Sequence, residues 1–120
     1  MKYMLLIYNN PDNIEAMPEE EREAAMSDVD SILAELAASG EMVGGEALAH
    51  PSTAKTVRVV DGVPEATDGP YVGAKEMLAG YLTIEADTLE RAVQIAARWP
   101  DARHGAMEVR AVMHPGGMEM

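Results

Sequence analysis

Large apolar residues crowd the start of the chain, KYMLLIY after Met1, and the turn-forming NNPDN closes the run. So short an apolar segment reads as a strand buried on both faces. One layer of helices covers only one face of a sheet, so this strand needs a second cover. Beyond Met17 the spacing becomes helical. Pro18 suits a first turn, the glutamates after it complement the positive end of the helix dipole, and Gly40 supplies the stop. Met26, Val29, Ile32, Leu33 and Leu36 form the apolar stripe, and the acidic residues fall mostly off it, as a solvated outer face.

Two extended pieces follow, Met42–Leu48 and Lys55–Val60, separated by AHPST. In the second, Val57 and Val59 alternate with Thr56, Arg58 and Val60, and Asp61-Gly62 is a hairpin signal leading into VPEAT. Glu76–Ala86 is the longest strand candidate, with Leu78, Leu82 and Ile84 on one face and Met77, Tyr81 and Thr83 on the other. Asp87 and Glu90 have capping-box spacing, and Leu89, Ala92, Val93 and Ala96 stripe a second helix that Trp99-Pro100 stops. Ala106–Met113 returns as a strand, with Glu108, Arg110 and Val112 opposite its apolar face. The expected organisation is one domain over residues 1–114 and a flexible tail over 115–120.

This order predicts an α+β fold, a ferredoxin-like antiparallel sheet with two helices on one face. Alternation assigns Val57, Val59, Leu78, Leu82, Val109 and Ala111 to the helix-covered face. The other face then carries Arg58, Met77, Tyr81, Thr83, Glu108, Arg110 and Val112, with half of the first strand's apolar residues. That face is too apolar to stand bare and too charged for a dry core. A second subunit packed sheet to sheet, leaving a partly polar cavity, meets both demands, so a homodimer is expected.

Composition narrows the partners. A chain of 120 residues suits a single core, and one with no Phe, one Trp and ten Met has an adaptable interior. A net charge of −12 argues against nucleic acid and anionic membranes. With no cysteine there is neither disulfide nor thiolate chemistry. The opening apolar run is too short for a signal-peptide core, and no stretch approaches the roughly 20 residues that span a bilayer, so a cytoplasmic location is expected. The three histidines lack ligand spacing, the acid-rich helix lacks a calcium-loop pattern, and Gly44-Gly45 precedes no Lys-Ser/Thr. No metal or cofactor is expected.

The chemistry-bearing segment is Thr67–Tyr81, TDGPYVGAKEMLAGY. Strand parity sends Lys75 to the open face with Met77 and Tyr81, and Glu76 toward the helices, unless a bulge at Gly73 or Gly80 reverses them. The expected cavity gathers Arg58, Lys75, Tyr81, Glu108 and Arg110, with Asp68 reaching in from the loop. Arg58 and Arg110 would hold a carboxylate, Tyr81 and Glu108 would line the site, and Asp68 or Lys75 would move a proton as the catalytic residue. Each has a plainer reading, Asp68 as a turn residue, the charges as cross-strand pairs and Tyr81 as packing. Enclosing the charges costs several kcal/mol per ion unless each is well paired, which gives a reason for a small anionic ligand, with a water-filled structural cavity as the other reading. Glu46, after the glycine pair, is a further candidate for the same cavity.

The same segment carries a family resemblance. DGPYVGAKEMLAGY is similar to the DGPF motif of the YCII-related proteins, with its Lys-Glu and Gly-Tyr, and Tyr71 stands where the motif has Phe. MKYMLLIY, GEALAHPSTAKTVRVVDG and RWPDARHGAMEVRAVM resemble the family's opening, middle and closing segments. The resemblance implies a dimeric α+β barrel and little about activity. Members often sit beside extracytoplasmic-function sigma factors, and distant relatives resemble muconolactone isomerase and chloromuconolactone dehalogenase. Some carry a His-Asp pair proposed for acid-base work, but the first helix here has no histidine, so that pair does not carry over. Two functions follow as expectations. One is binding or transforming a small organic acid between the sheets; the other is a non-catalytic interaction module accessory to sigma-factor regulation.

Overall fold

A computed structural model of the chain describes residues 1–113. Four strands form one antiparallel sheet: β1 (Lys2–Asn9), β2 (Met42–Ala47), β5 (Met77–Glu85) and β6 (Ala106–Ala111), in the order β2-β5-β1-β6. The apolar β1 is a central strand, paired with β5 on one side and β6 on the other. Helices α2 (Glu19–Ser39) and α3 (Leu89–Arg98) lie on one face of this sheet. Between β2 and β5, which are neighbours, the chain inserts a separate two-stranded hairpin, β3 (Lys55–Val60) and β4 (Val63–Asp68). Two short helices complete the fold, α1 (Pro11–Ala16) and α4 (Asp101–His104).

The core lies between the sheet and the two long helices. Tyr3 and Leu5 of β1 and Leu82 and Ile84 of β5 meet Ile32 and Leu36 of α2, Ala92, Ile95 and Ala96 of α3, and Trp99. Val109 and Ala111, opposite Leu5 and Tyr3, pack against the same cluster. Gly40 ends α2 with φ 80°, a left-handed turn that a residue without Cβ adopts freely. Thr88, not Asp87, caps α3, its hydroxyl accepting from the Arg91 amide at 3.1 Å. The buried stripe also differs from the expected one. Ala92, Ile95 and Ala96 face the sheet, and Leu89 and Val93 are exposed. NNPDN is not only a turn: Asn10 accepts from the Asp12 amide and Pro11 opens α1.

Three expectations about faces are corrected. Val57 and Val59 do not join the helix-covered layer; they lie on the hairpin, 64% and 67% exposed. The alternation marks a strand, but the strand pairs with β4 and not with the main sheet. Leu78 is exposed also, because the pairing of β1 with β5 slips between Ile7 and Tyr8, from Ile7↔Gly80 to Tyr8↔Leu78. Ala79 is the extra residue of this bulge, which reverses the sidedness of β5 below Gly80 and moves Met77 off the face of Tyr81. The tail proposed over 115–120 lies outside the described residues, as does His114.

Two ion pairs tie α3 to α2 and the turn after it, Arg98 to Glu35 and Arg91 to Glu41. Arg91 grips Glu41 through Nε at 2.9 Å and Nη2 at 2.8 Å, with Ser39 donating at 2.8 Å as well. These hydrogen bonds hold the Glu41 carboxyl down to about 2. A depressed carboxyl stabilises the fold fully above its ordinary value near 4.5 and loses that contribution as the pH falls through 2. Arg91 is partly solvated, so screening reduces the effect to about 1 kcal/mol. Glu41→Gln should therefore lower stability by that amount at pH 7 and leave it nearly unchanged near pH 2. Urea melts along a pH series measure the difference, and a constant gap across the series would contradict it.

Candidate functional site

The sheet's uncovered face holds part of the cavity expected from the sequence. The register places Glu46, Tyr81, Leu6 and Glu108 in one row across the strands, and Gly44, Thr83, Met4 and Arg110 in the next. Tyr81 donates to Glu46 at 3.2 Å and Tyr8 donates to Glu108 at 3.2 Å. The negative charge of Glu46, then its hydrogen bond, raises the Tyr81 hydroxyl above its usual range. Burial first, and Glu108 second, raise Tyr8, with Arg110 pulling the other way. Both phenols stay protonated at neutral pH and act as hydrogen-bond donors, not as bases.

Tyr81, Glu108 and Arg110 thus share the uncovered face with Glu46. Arg58, Asp68 and Lys75 do not join them. Arg58 sits on β3 of the hairpin, its guanidinium 5.8 Å from the Tyr71 ring centroid. Asp68 ends β4, exposed and paired with Lys55 across the hairpin. Lys75 precedes β5, which begins at Met77, and is exposed. The reason is common to all three. The 54–76 segment leaves the main sheet after β2 and rejoins it at β5, so strand parity cannot be carried through it.

The other face contains a cleft of about 560 Å³ between the sheet and the first half of α2. Its floor is made by small residues. Gly45 and Ala47 of β2 and Gly80 of β5 occupy positions in register with Leu82 and Ile7, on the helix side. A Cβ on Gly45 would lie 2.6 Å from the Tyr81 carbonyl oxygen, and one on Gly80 would lie 2.8 Å from that of Glu46. Glycine lets the two strands approach and leaves no side chain to fill the space above them. Val29 and Leu33 of α2 line the cleft, together with Ile14, Met17, Met26 and Trp99. The cleft lies within the range of small-molecule sites, and its lining is chiefly apolar.

Polar groups stand at its edges. Asp101 and His104 belong to one turn of α4, and Asn9 Nδ2 donates to Asp101 Oδ2 at 2.9 Å. Arg22, from the first turns of α2, lines the cleft and has no carboxylate within 4.0 Å among the described residues. Arg22, Asp101 and His104 are residues that strand parity passed over. The RWPDARHG segment was the available signal, since its three-residue Asp-to-His spacing fits one side of a helical turn. Among the described residues no group of three or more His, Asp or Glu side chains could hold a metal ion.

Comparison with known proteins adds three findings. The description of the YCII-related domain matches residues 1–115. An uncharacterized protein of Rhizobium meliloti (strain 1021) is 30% identical over 120 residues, covering 97% of each chain. Among solved structures, the chain is similar to 5-chloro-2-hydroxyhydroquinone dehydrochlorinase (TftG) from Burkholderia phenoliruptrix AC1100, in complex with 2,5-dihydroxybenzoquinone. The TM-score is 0.50 at 14% identity, covering 99% of this chain and 100% of the other. At that identity the likeness concerns the α+β fold alone.

Proposed function

The chain belongs to the YCII-related domain family, and we propose that it binds a small, largely apolar organic acid in the cleft between α2 and the sheet. The observation that carries this reading is the cleft itself: about 560 Å³ of chiefly apolar space over a floor of glycines, lined also by an arginine that no carboxylate of the described residues pairs with. Arg22 would take the acid group by charge-assisted hydrogen bonds. Asp101, oriented by Asn9, and His104 are the groups placed to exchange a proton with the bound molecule. A fold neighbour's complex with a single-ring quinone supports a ligand of such a size.

The site expected between two sheets receives less support, because only Tyr81, Glu108 and Arg110 of its six residues meet there. We assign that face to assembly instead. Met4, Leu6, Tyr8 and Tyr81 stand half-buried on it, and none of them belongs to the helix-side core cluster of the described residues. A ferredoxin-like unit with such a face is completed by a second copy, as a dimeric α+β barrel.

Trp99, the single tryptophan, lines the cleft, so its fluorescence reports occupancy. A panel of single-ring acids and their neutral analogues should include acids that quench it and raise the melting temperature. Val29→Phe, which fills the cleft, should abolish the response. Arg22→Ala should weaken acids about 10-fold and leave neutral analogues unchanged. An absence of any response across the panel, or binding by Val29→Phe equal to the wild type, would overturn the reading.

A further inference from the structure

The β3–β4 hairpin makes its turn at Asp61-Gly62, with φ of 50° and 79°, the pair of left-handed residues that a two-residue hairpin loop demands. Beyond that turn the arm has little to hold it. Thr56 is half-buried and every other strand residue is exposed. Register divides the side chains into two faces. Thr56, Arg58 and Val60 share one, over which Tyr71 folds back to stack on Arg58. Val57 and Val59, opposite Ala66 and Pro64, share the other, and nothing among the described residues covers it. A two-stranded hairpin is marginal on its own in water, so an arm with a bare valine face is a segment awaiting a surface.

Charge names the partner. From Lys55 to Lys75 the chain carries three basic residues, Lys55, Arg58 and Lys75, and three acidic ones, Asp61, Glu65 and Asp68. This stretch is neutral, and the net charge of −12 lies wholly on the rest. Two acidic bodies repel; the hairpin by itself carries a net charge of −1, and with Lys75 beyond it none, so it approaches an acidic body at little of that cost. The uncovered sheet offers the complementary surface, with Met4 and Leu6 beside Thr83 and Tyr81.

We propose that the hairpin is an exchange arm: each copy lays its Val57–Val59 face on the uncovered sheet face of a second copy of this chain. The proposal rests on the homodimer reading above and is independent of the ligand cleft. Because the arm's valines are exposed in the single chain, Val57→Lys with Val59→Lys spares the core. The double variant should retain its circular dichroism and weaken dimerisation about 100-fold or more. Light scattering across a concentration series measures this. For location, Glu65→Cys introduces one cysteine into a cysteine-free chain, on the hairpin face away from the valines. A benzophenone attached there, in a mixture of ¹⁴N and ¹⁵N chains, should cross-link to residues 3–8, 77–85 or 106–111 of the other isotopic chain. A monomeric wild type would overturn both the arm and the dimer. A wild-type dimer whose mass the double variant leaves unchanged, or cross-links confined to one chain, would overturn the arm and leave the dimer standing.

Discussion

Leu5→Ala should destabilise the protein by about 3–5 kcal/mol and move the urea midpoint down by about 2 M. Leu5 has no exposed surface and lies on the central strand, opposite Leu82 on β5 and Val109 on β6. The core cluster it belongs to draws on both long helices as well as the sheet. Truncation therefore removes apolar area from water-free packing and opens a void whose walls, two paired strands, cannot close in. With ordinary domain stabilities of 5–15 kcal/mol, the variant stands at the edge of folding. Leu89→Ala is the control, because that side chain is more than half exposed and should cost under about 0.5 kcal/mol. Both melts belong at one protein concentration, since assembly shifts apparent stability. A cost below about 1 kcal/mol for Leu5→Ala would contradict β1 as the centre of the sheet.

Gly105→Ala should cost about 2–4 kcal/mol, although it adds a single methyl group. A Cβ at this position would lie 2.2 Å from the Tyr8 carbonyl oxygen and 3.1 Å from both Asn9 Cα and Glu76 Oε2. The two nearest obstacles are backbone, so no rotamer change relieves them. The junction between α4 and β6 must move away from the end of β1. Asp101 moves with it and loses the 2.9 Å hydrogen bond from Asn9. Ligand binding in the cleft should fall together with stability, and the Asn9 side-chain amide resonances should shift toward solvent values. Gly73→Ala provides the contrast, since a Cβ there meets nothing within 4 Å and the residue lies outside the sheet, and it should be nearly neutral. Equal stabilities for the two alanine variants would show that the close approach at Gly105 is not a constraint.

Much of the fold was legible in the residues. KYMLLIY announces a strand needing cover on both faces, and β1 is central, with its core side under the helices and Met4 and Leu6 on the other. The three-and-four spacing through Ile32 and Leu36 marks the buried side of α2, and Gly40 ends it. Asp61-Gly62 makes the hairpin turn it signals. The DGPY segment and its companions point to the family that the whole chain matches. The candidate site was less legible. Tyr81, Glu108 and Arg110 fall on one face because their strands pair directly with β1, so short-range parity suffices. Parity cannot place Arg58, Asp68 or Lys75, which lie on a segment that leaves the sheet.

Alternation and helical spacing are properties of neighbouring residues, so the chain alone determines which segments are strands or helices and which side chains share a side. The pairing of one strand with another depends on residues far apart in sequence. Tertiary structure therefore decided that β3 joins β4 and not the main sheet, and that an extra residue at Ala79 turns over the lower part of β5. It also decided that Gly45 and Gly80 lie together beneath α2, where two missing side chains become a cleft. An empty space has no residue of its own, and only the packing of distant segments reveals it.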